Sequence, residues 1–153
     1  MDVSQKMDSN DAELIHFAGT IFTFPVDKRQ VEIYLSNANR TVFKVVNEEK
    51  RCIGIAEISI LKKNNKDAKL ARILIGEKTV LGKGIGTKLI KKLTEFGFKN
   101  LKNERIILNG YSWNGGVIKC YEKVGFSRTD KSINYVKVGN DYWKTIEMEK
   151  IVL

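Results

Sequence analysis

The chain has almost none of the residues that build metal centres, disulfide frameworks or membrane spans. It holds one histidine, His16, and two isolated cysteines, Cys52 and Cys120, among 153 residues. Without a Cys/His cluster at ligand spacing there is no basis for a structural zinc site, and no bound metal is expected. Two distant cysteines in apolar surroundings read as reduced core thiols of a cytoplasmic protein rather than as a cross-link. A single proline and 42% hydrophobic residues exclude a proline-rich linker or a disordered chain. No apolar run approaches membrane-spanning length, and Met1-Asp2-Val3-Ser4-Gln5 lacks the apolar region of a signal peptide. The expectation is one cytoplasmic globular domain over residues 1–153, long enough to bury a real core.

Charge of one sign is abundant. A net charge of +9 suits an acidic partner, either nucleic acid or a polyphosphorylated cofactor. The lysines (Lys62, Lys63, Lys66, Lys69, Lys91, Lys92, Lys99 and Lys102 among them) are spread along the chain. No basic stretch is interleaved with stacking aromatics, so a solvated face explains most of them better than a nucleic-acid surface.

The stretch from Ile73 to Leu89 organises the rest. An apolar, β-branched run ends at Ile75, a polar turn follows, and Gly82, Gly84 and Gly86 stand at alternate positions before an amphipathic helix. Glycine lets backbone approach a ligand without Cβ interference, and the first amides of a helix have no intrahelical partner. With the helix dipole they suit a phosphate or pyrophosphate. From the glycines alone, a phosphate cradle and a tight structural turn stand even. Two better-known motifs are excluded. A Walker loop needs four residues between its first Gly and Gly-Lys, whereas Gly76 to Gly82-Lys83 has five, with Gly84 where the hydroxyl belongs. Evenly spaced glycines also fail the dinucleotide fingerprint.

Patterning predicts the remaining elements. Asn10 or Asp11 caps a short helix carrying Leu14, Ile15, Phe17 and Ala18; Phe22 to Pro25 is extended; and Asp27 caps a second short helix with Val31, Tyr34 and Leu35. A hairpin follows, Thr41–Val46 and Cys52–Ile60, turning at Asn47 to Lys50. After a polar loop come a strand over Ala68–Ile75, a helix from about Gly84 to Lys102, a strand over Arg105–Asn109 and a helix over Asn114–Val124 stopped by Gly125. A last hairpin, Phe126–Val138 and Tyr142–Lys150, turns at Gly139. This order predicts a mixed α/β (α+β) domain: a largely antiparallel twisted sheet with helices on both faces.

Two segments resemble the GNAT superfamily of acetyl-CoA-dependent N-acetyltransferases. Leu81-Gly82-Lys83-Gly84-Ile85-Gly86 is similar to that family's pyrophosphate loop, usually Gln/Arg-x-x-Gly-x-Gly/Ala. Asn114-Gly115-Gly116-Val117-Ile118-Lys119-Cys120-Tyr121-Glu122-Lys123-Val124-Gly125-Phe126 resembles its Asn-x-x-Ala-x-x-x-Tyr-Glu-Lys-x-Gly-Phe helix and is the more specific of the two. Leu81 departs from the usual Gln or Arg. Ile75-Gly76-Glu77-Lys78, with one extra residue in the turn, looks like the branch that includes ribosomal-protein N-terminal acetyltransferases.

The resemblance implies roles. Backbone groups of Ile73, Leu74 and Ile75 would pair with the pantetheine amides, as if the ligand were another strand. Amides from Gly82 through Lys83, Gly84, Ile85 and Gly86 to Thr87 would hold the pyrophosphate, with Lys83 and Lys88 nearby. The side chain of Asn114 would contact the pantetheine arm, and Tyr121 would be the general acid for the departing thiolate. Read from its own helix alone, Tyr121 is better explained as a packed aromatic with a satisfied hydroxyl; the flanking motif turns the balance to the catalytic role. The attacking amine must be neutral, so a base or water relay takes its proton. Glu57, a carboxylate inside an apolar strand beside the cofactor strand, is the first candidate, because burial raises a carboxyl's pKa. A solvent-facing or substrate-orienting Glu57 is the equal alternative; Glu77 and Ser112 are weaker candidates, and proximity of bound reactants could suffice.

The implied function is transfer of the acetyl group of acetyl-CoA to a primary amine, of a small molecule or a peptide N-terminus. Two alternatives stand beside it: an acetyl-CoA-binding protein of this fold without chemistry, and a basic nucleic-acid-binding module. The acceptor is not readable, although the net charge of +9 disfavours a strongly cationic polyamine or aminoglycoside unless a local acidic patch overrides it. Phe22, Phe24, Tyr34, Tyr135 and Trp143 could line its pocket or belong to the core. Dimers are common in the family, and the sequence leaves open whether the chain forms a homodimer.

Overall fold

The computed structural model describes residue 23 and residues 25–61, 66–76 and 84–153, with the backbone alone at 131 and 132. The expected first helix, Phe22, Phe24, most of the loop after Leu61, and the turn holding Glu77, Leu81, Gly82 and Lys83 lie outside those residues. The order is α1 (Lys28–Leu35), β1 (Arg40–Val46), β2 (Cys52–Ile60), β3 (Asp67–Ile75), α2 (Ile85–Lys99), β4 (Arg105–Tyr111), α3 (Gly115–Val124), β5 (Ser127–Val138) and β6 (Asp141–Ile151). Among the described residues, no helix is long and apolar enough to cross a membrane.

Local chemistry sets the boundaries. The Asp27 carboxylate accepts from the Gln30 N–H at 2.8 Å and starts α1. Asn47 Oδ1 accepts from the Arg51 N–H at 2.9 Å and closes the β1–β2 turn. Gly125, at φ 99°, ends α3 as a left-handed stop. The central helix stops at Lys99, short of the expected Lys102, because Lys102 turns left-handed (φ 59°) and the Asn103 N–H bonds back to the Gly97 carbonyl at 2.9 Å.

Among the described residues, one six-stranded sheet runs β1-β2-β3-β4-β6-β5. Only β3 and β4 are parallel; the other neighbours are antiparallel. Strand alternation separates two faces. Ala56, Ile58, Leu70, Ile106, Leu108 and Met148 point to one side, where Ile90 and Leu93 of α2 and Ile118 of α3 cover them. On the other side Ile55 packs with Val26 and with Tyr34 of α1. Helices therefore lie on both faces, as patterning predicts.

The sheet is split down its middle. β3 and β4 pair only at Asp67↔Arg105, Ala68↔Ile106 and Lys69↔Ile107. That short seam is reinforced by Arg105, whose guanidinium lies 3.5 Å from Asp67, 3.4 Å from Glu147 and 2.5 Å from Glu149, tying β3, β4 and β6 at one end. Beyond Lys69 the two strands part.

Candidate active site

The split creates the site. Past Lys69, β3 has no ladder partner on its β4 side among the described residues, so its backbone there is open to a ligand. Just before this open segment β3 bulges: Ala71 pairs with Glu57 and Leu74 with Ile55, so Arg72 and Ile73 share the space opposite Ala56. Arg72 takes the left-handed conformation, φ 45°, that glycine usually supplies at such a bulge. The extra residue resets the alternation. Leu70 faces the α2/α3 side, Arg72 reaches the α1 side, Ile73 returns to the α2/α3 core, and Leu74 joins the α1 cluster.

Two helix termini meet the split on the α2/α3 side. Gly84 precedes α2 at φ 74° with no side-chain cap, leaving the first amides of Ile85, Gly86 and Thr87 without intrahelical partners. Thr87 Oγ1 lies 3.3 Å from Cys120 Sγ, which docks the start of α2 on α3. Farther along, α2 and α3 border a groove of about 190 Å³ whose lining includes Thr87, Lys91, Lys123 and Lys150, a cationic continuation of the helix terminus.

Asn114 caps α3, its Oδ1 accepting from the Val117 N–H at 3.4 Å. Its amide nitrogen makes no hydrogen bond to a described residue. Tyr121 packs against β4 at Gly110, where a Cβ would come within 3.5 Å of the ring. Its hydroxyl makes no hydrogen bond to a described residue. Burial, and after it the neighbouring Cys120, push the phenol up to about 12.

The α1 side is polar where the other is oily. Glu57 is 1% exposed, and its carboxylate meets two hydroxyls and two guanidiniums. Its Oε1 accepts from Ser59 Oγ at 2.6 Å and from Arg72 Nη1 at 3.2 Å, and lies 3.3 Å from Arg40 Nε. Its Oε2 accepts from the Tyr34 hydroxyl. Burial first, then this carboxylate, raise the Tyr34 phenol well above its ordinary range, so Tyr34 keeps the proton it donates. Lys69 lies on the same side; burial, and then Arg72, depress its ammonium. Across the split, Tyr111, Trp113 and Trp143 form an aromatic wall. Tyr111 stacks on Trp113 with centroids 5.8 Å apart, and Trp143 meets both edge-on at 5.1 and 5.4 Å.

The predicted residues thus fall into two sets. Ile73, Leu74, Ile75, Gly84, Ile85, Gly86, Thr87, Asn114 and Tyr121 surround the split, and Gly82 and Lys83 lie outside the described residues. Glu57 stands on the opposite face, not at solvent, and the exposed Ser112 spends its N–H on the Lys144 carbonyl at 2.9 Å. Tyr34 is buried beside Glu57, Trp143 is in the aromatic wall, and Tyr135 is exposed. Lys88 is exposed on α2; Cys52 and Cys120 are free thiols, each half-buried. Sequence reasoning missed Arg72 and Trp113. A lone arginine in Leu70-Ala71-Arg72-Ile73-Leu74 was the available signal for the first.

The sequence model of the acetyltransferase (GNAT) family matches residues 12–126, and the chain belongs to that family. Members of that family use acetyl-CoA as the acetyl donor. An aminoglycoside N(6')-acetyltransferase type 1 of Klebsiella pneumoniae is 40% identical over 55 residues, covering 36% of this chain and 27% of that one. A kanamycin resistance protein of Rhizobium radiobacter is 44% identical over 48 residues, 31% of this chain and 44% of its own length. The matched parts are thus less than half of those relatives. In structure, the spermidine N-acetyltransferase of Vibrio cholerae, solved with CoA and spermine, superposes with a TM-score of 0.78 at 19% identity, covering 96% of this chain and 87% of that one. These relatives do not single out the ribosomal-protein branch suggested by the turn after Ile75.

Proposed function

We propose that this protein transfers the acetyl group of acetyl-CoA to a primary amine of a small molecule. The observation that carries the reading is convergence: β3 parts from β4 after Lys69 among the described residues, and the uncapped start of α2 and the Tyr121 ring meet the same opening. In this reading the backbone of Ile73–Ile75 binds the pantetheine arm, the amides of Gly84 to Thr87 hold the pyrophosphate together with Gly82 and Lys83, and the Asn114 amide nitrogen contacts the arm. Bound acetyl-CoA supplies an activated acyl carbon. The residues of the chain orient it, exclude water and hold one proton on Tyr121 for the departing sulfur. The relatives' names point to polyamine and aminoglycoside acceptors, which favours a small molecule over the peptide N-terminus implied by the ribosomal-protein likeness.

Thermal unfolding with and without acetyl-CoA tests this. A ligand that binds only the native state at a hundredfold excess over its Kd adds about 2.7 kcal/mol. For a domain of this size that is a rise of about 5–10 °C in the midpoint. In Gly84→Glu the rise is expected to vanish. A Cβ at Gly84 meets nothing within 4 Å, so the fold bears only the left-handed cost of about 1–2 kcal/mol while a carboxylate enters the pyrophosphate position. No rise in the wild type would refute the reading.

The acceptor approaches from the α1 side in this scheme. Trp113 is 52% exposed within the aromatic wall, and an acceptor that carries a further protonated amine would approach it there. Such a contact contributes about 0.5–2 kcal/mol, so Trp113→Ala is expected to raise the acceptor KM about three- to thirtyfold. The acetyl-CoA midpoint shift should not change. An unaltered acceptor KM would remove the aromatic wall from the acceptor site.

A further inference from the structure

We infer that Glu57 is a positioning residue: by holding Arg72 in the β3 bulge, it fixes how the Ile73–Ile75 backbone is presented to the acetyl donor. The inference rests on the proposed reading that Ile73–Ile75 line the donor.

The geometry makes the link direct. In an unbroken strand residue 72 would follow Ala68 and Leu70 onto the face covered by α2 and α3. The bulge sends Arg72 to the other face instead, and every residue after it changes side. A strand that slips by one residue inverts all the side chains beyond the slip and exchanges which N–H and C=O groups point into the opening. Whatever holds Arg72 on the α1 side therefore holds the phase of Ile73–Ile75. A non-glycine residue at φ 45° is an unfavourable conformation that persists only where its surroundings over-determine it.

Glu57 supplies that constraint. Its Oε1 accepts from Arg72 Nη1 at 3.2 Å. The carboxylate is itself fixed from three further directions, by Ser59 on its own strand, Arg40 of β1 and Tyr34 of α1. Arg40 Nη1 donates to the Tyr34 carbonyl at 2.6 Å, which closes the cluster. Both oxygens are thus occupied by donors inside the protein, an arrangement that suits an anchor better than a group that collects a substrate's proton. The cluster ties α1 and β1 to the bulge, so the element nearest the acceptor side and the donor strand share one fixed point.

Calorimetric titration of acetyl-CoA into the wild type, Glu57→Gln, Arg72→Met and the double variant, each well below its unfolding midpoint, tests the anchor. Each single change is expected to raise Kd about tenfold, and the double variant should be no worse than either, because both remove one interaction. An unchanged Kd in Glu57→Gln overturns the inference, and with reduced turnover and a lost acid limb in the pH–rate profile it would make Glu57 the base. Single effects that multiply in the double variant also overturn it. A wild type that fails to bind acetyl-CoA refutes the proposed function first and is recognised before any variant is compared. Should Glu57→Gln not fold, hydrogen exchange in Arg72→Met decides: faster exchange of the Ile73, Leu74 and Ile75 amides supports the anchor, and unchanged exchange rejects it.

Discussion

Tyr121→Phe is expected to lower kcat by about a hundred- to ten-thousandfold, the usual span of a positioned general acid. The variant should bind acetyl-CoA as the wild type does. The ring is the part that packs, against β4 at Gly110 and 6.4 Å (centroid to centroid) from Phe126, and phenylalanine keeps it. Only the hydroxyl is lost, and it has no described partner to leave unsatisfied. The pH dependence has a definite sign. A phenol acts as an acid while protonated, so raising it from 10.0 to about 12 extends the competent form upward. Wild-type kcat should therefore show no alkaline decline from Tyr121 below about pH 10, while deprotonation of the amine raises the rate along the same axis. Steady-state rates of both proteins across that range check it. A loss of less than threefold would leave Tyr121 a packing residue.

Gly54→Ala is expected to be the most damaging single-methyl change near the site. A Cβ on Gly54 would lie 2.0 Å from the Leu74 carbonyl oxygen and 3.1 Å from the Ile75 Cα. Backbone atoms cannot rotate away as a side chain can, so β3 must shift at the residues assigned to the donor. Overpacking of this kind costs about 1–3 kcal/mol and sometimes more. At about 2–4 °C per kcal/mol, the midpoint should fall by about 2–12 °C, and the rise on adding acetyl-CoA should shrink or disappear. Gly86→Ala is the matched control. There the nearest atom, Cys120 Sγ, is 4.0 Å away, so the unliganded midpoint should barely move. Equal stability of the two variants would contradict the close approach of β2 and β3.

Why one glycine was legible and the other not is a matter of range. Gly82, Gly84 and Gly86 announce themselves by spacing, because the turn they serve is local. Gly54 sits in the apolar stretch Ile53–Ala56; its need for a missing Cβ comes from the Leu74 carbonyl, on another strand. The elements carried by local signals were read correctly: the Asp27 cap, the hairpin turn at Asn47, the αL stop at Gly125 and the final hairpin. The end of α2 was placed too late because the left-handed turn at Lys102 has no glycine to mark it. Glu57 stood out as a carboxylate among Ile55, Ala56 and Ile58, but its partners could not be guessed. Tyr34, Arg40 and Arg72 reach it from three different elements, and only the tertiary fold brings them together. Asn114 shows a subtler limit, since its motif position implied a ligand contact while its amide oxygen is already committed to starting a helix.

The short seam between β3 and β4 has a consequence for how the molecule can change. Each leaf of the sheet is continuous in sequence, Arg40–Ile75 on one side and Arg105–Ile151 on the other, and the strands join them at three residue pairs alone. Mutations that reshape the aromatic wall act within the second leaf and need not disturb the bulge or its anchor in the first. In the proposed reading, preference for one amine over another can thus drift in lineages of such chains while the handling of the donor, which would straddle the seam, stays where it is.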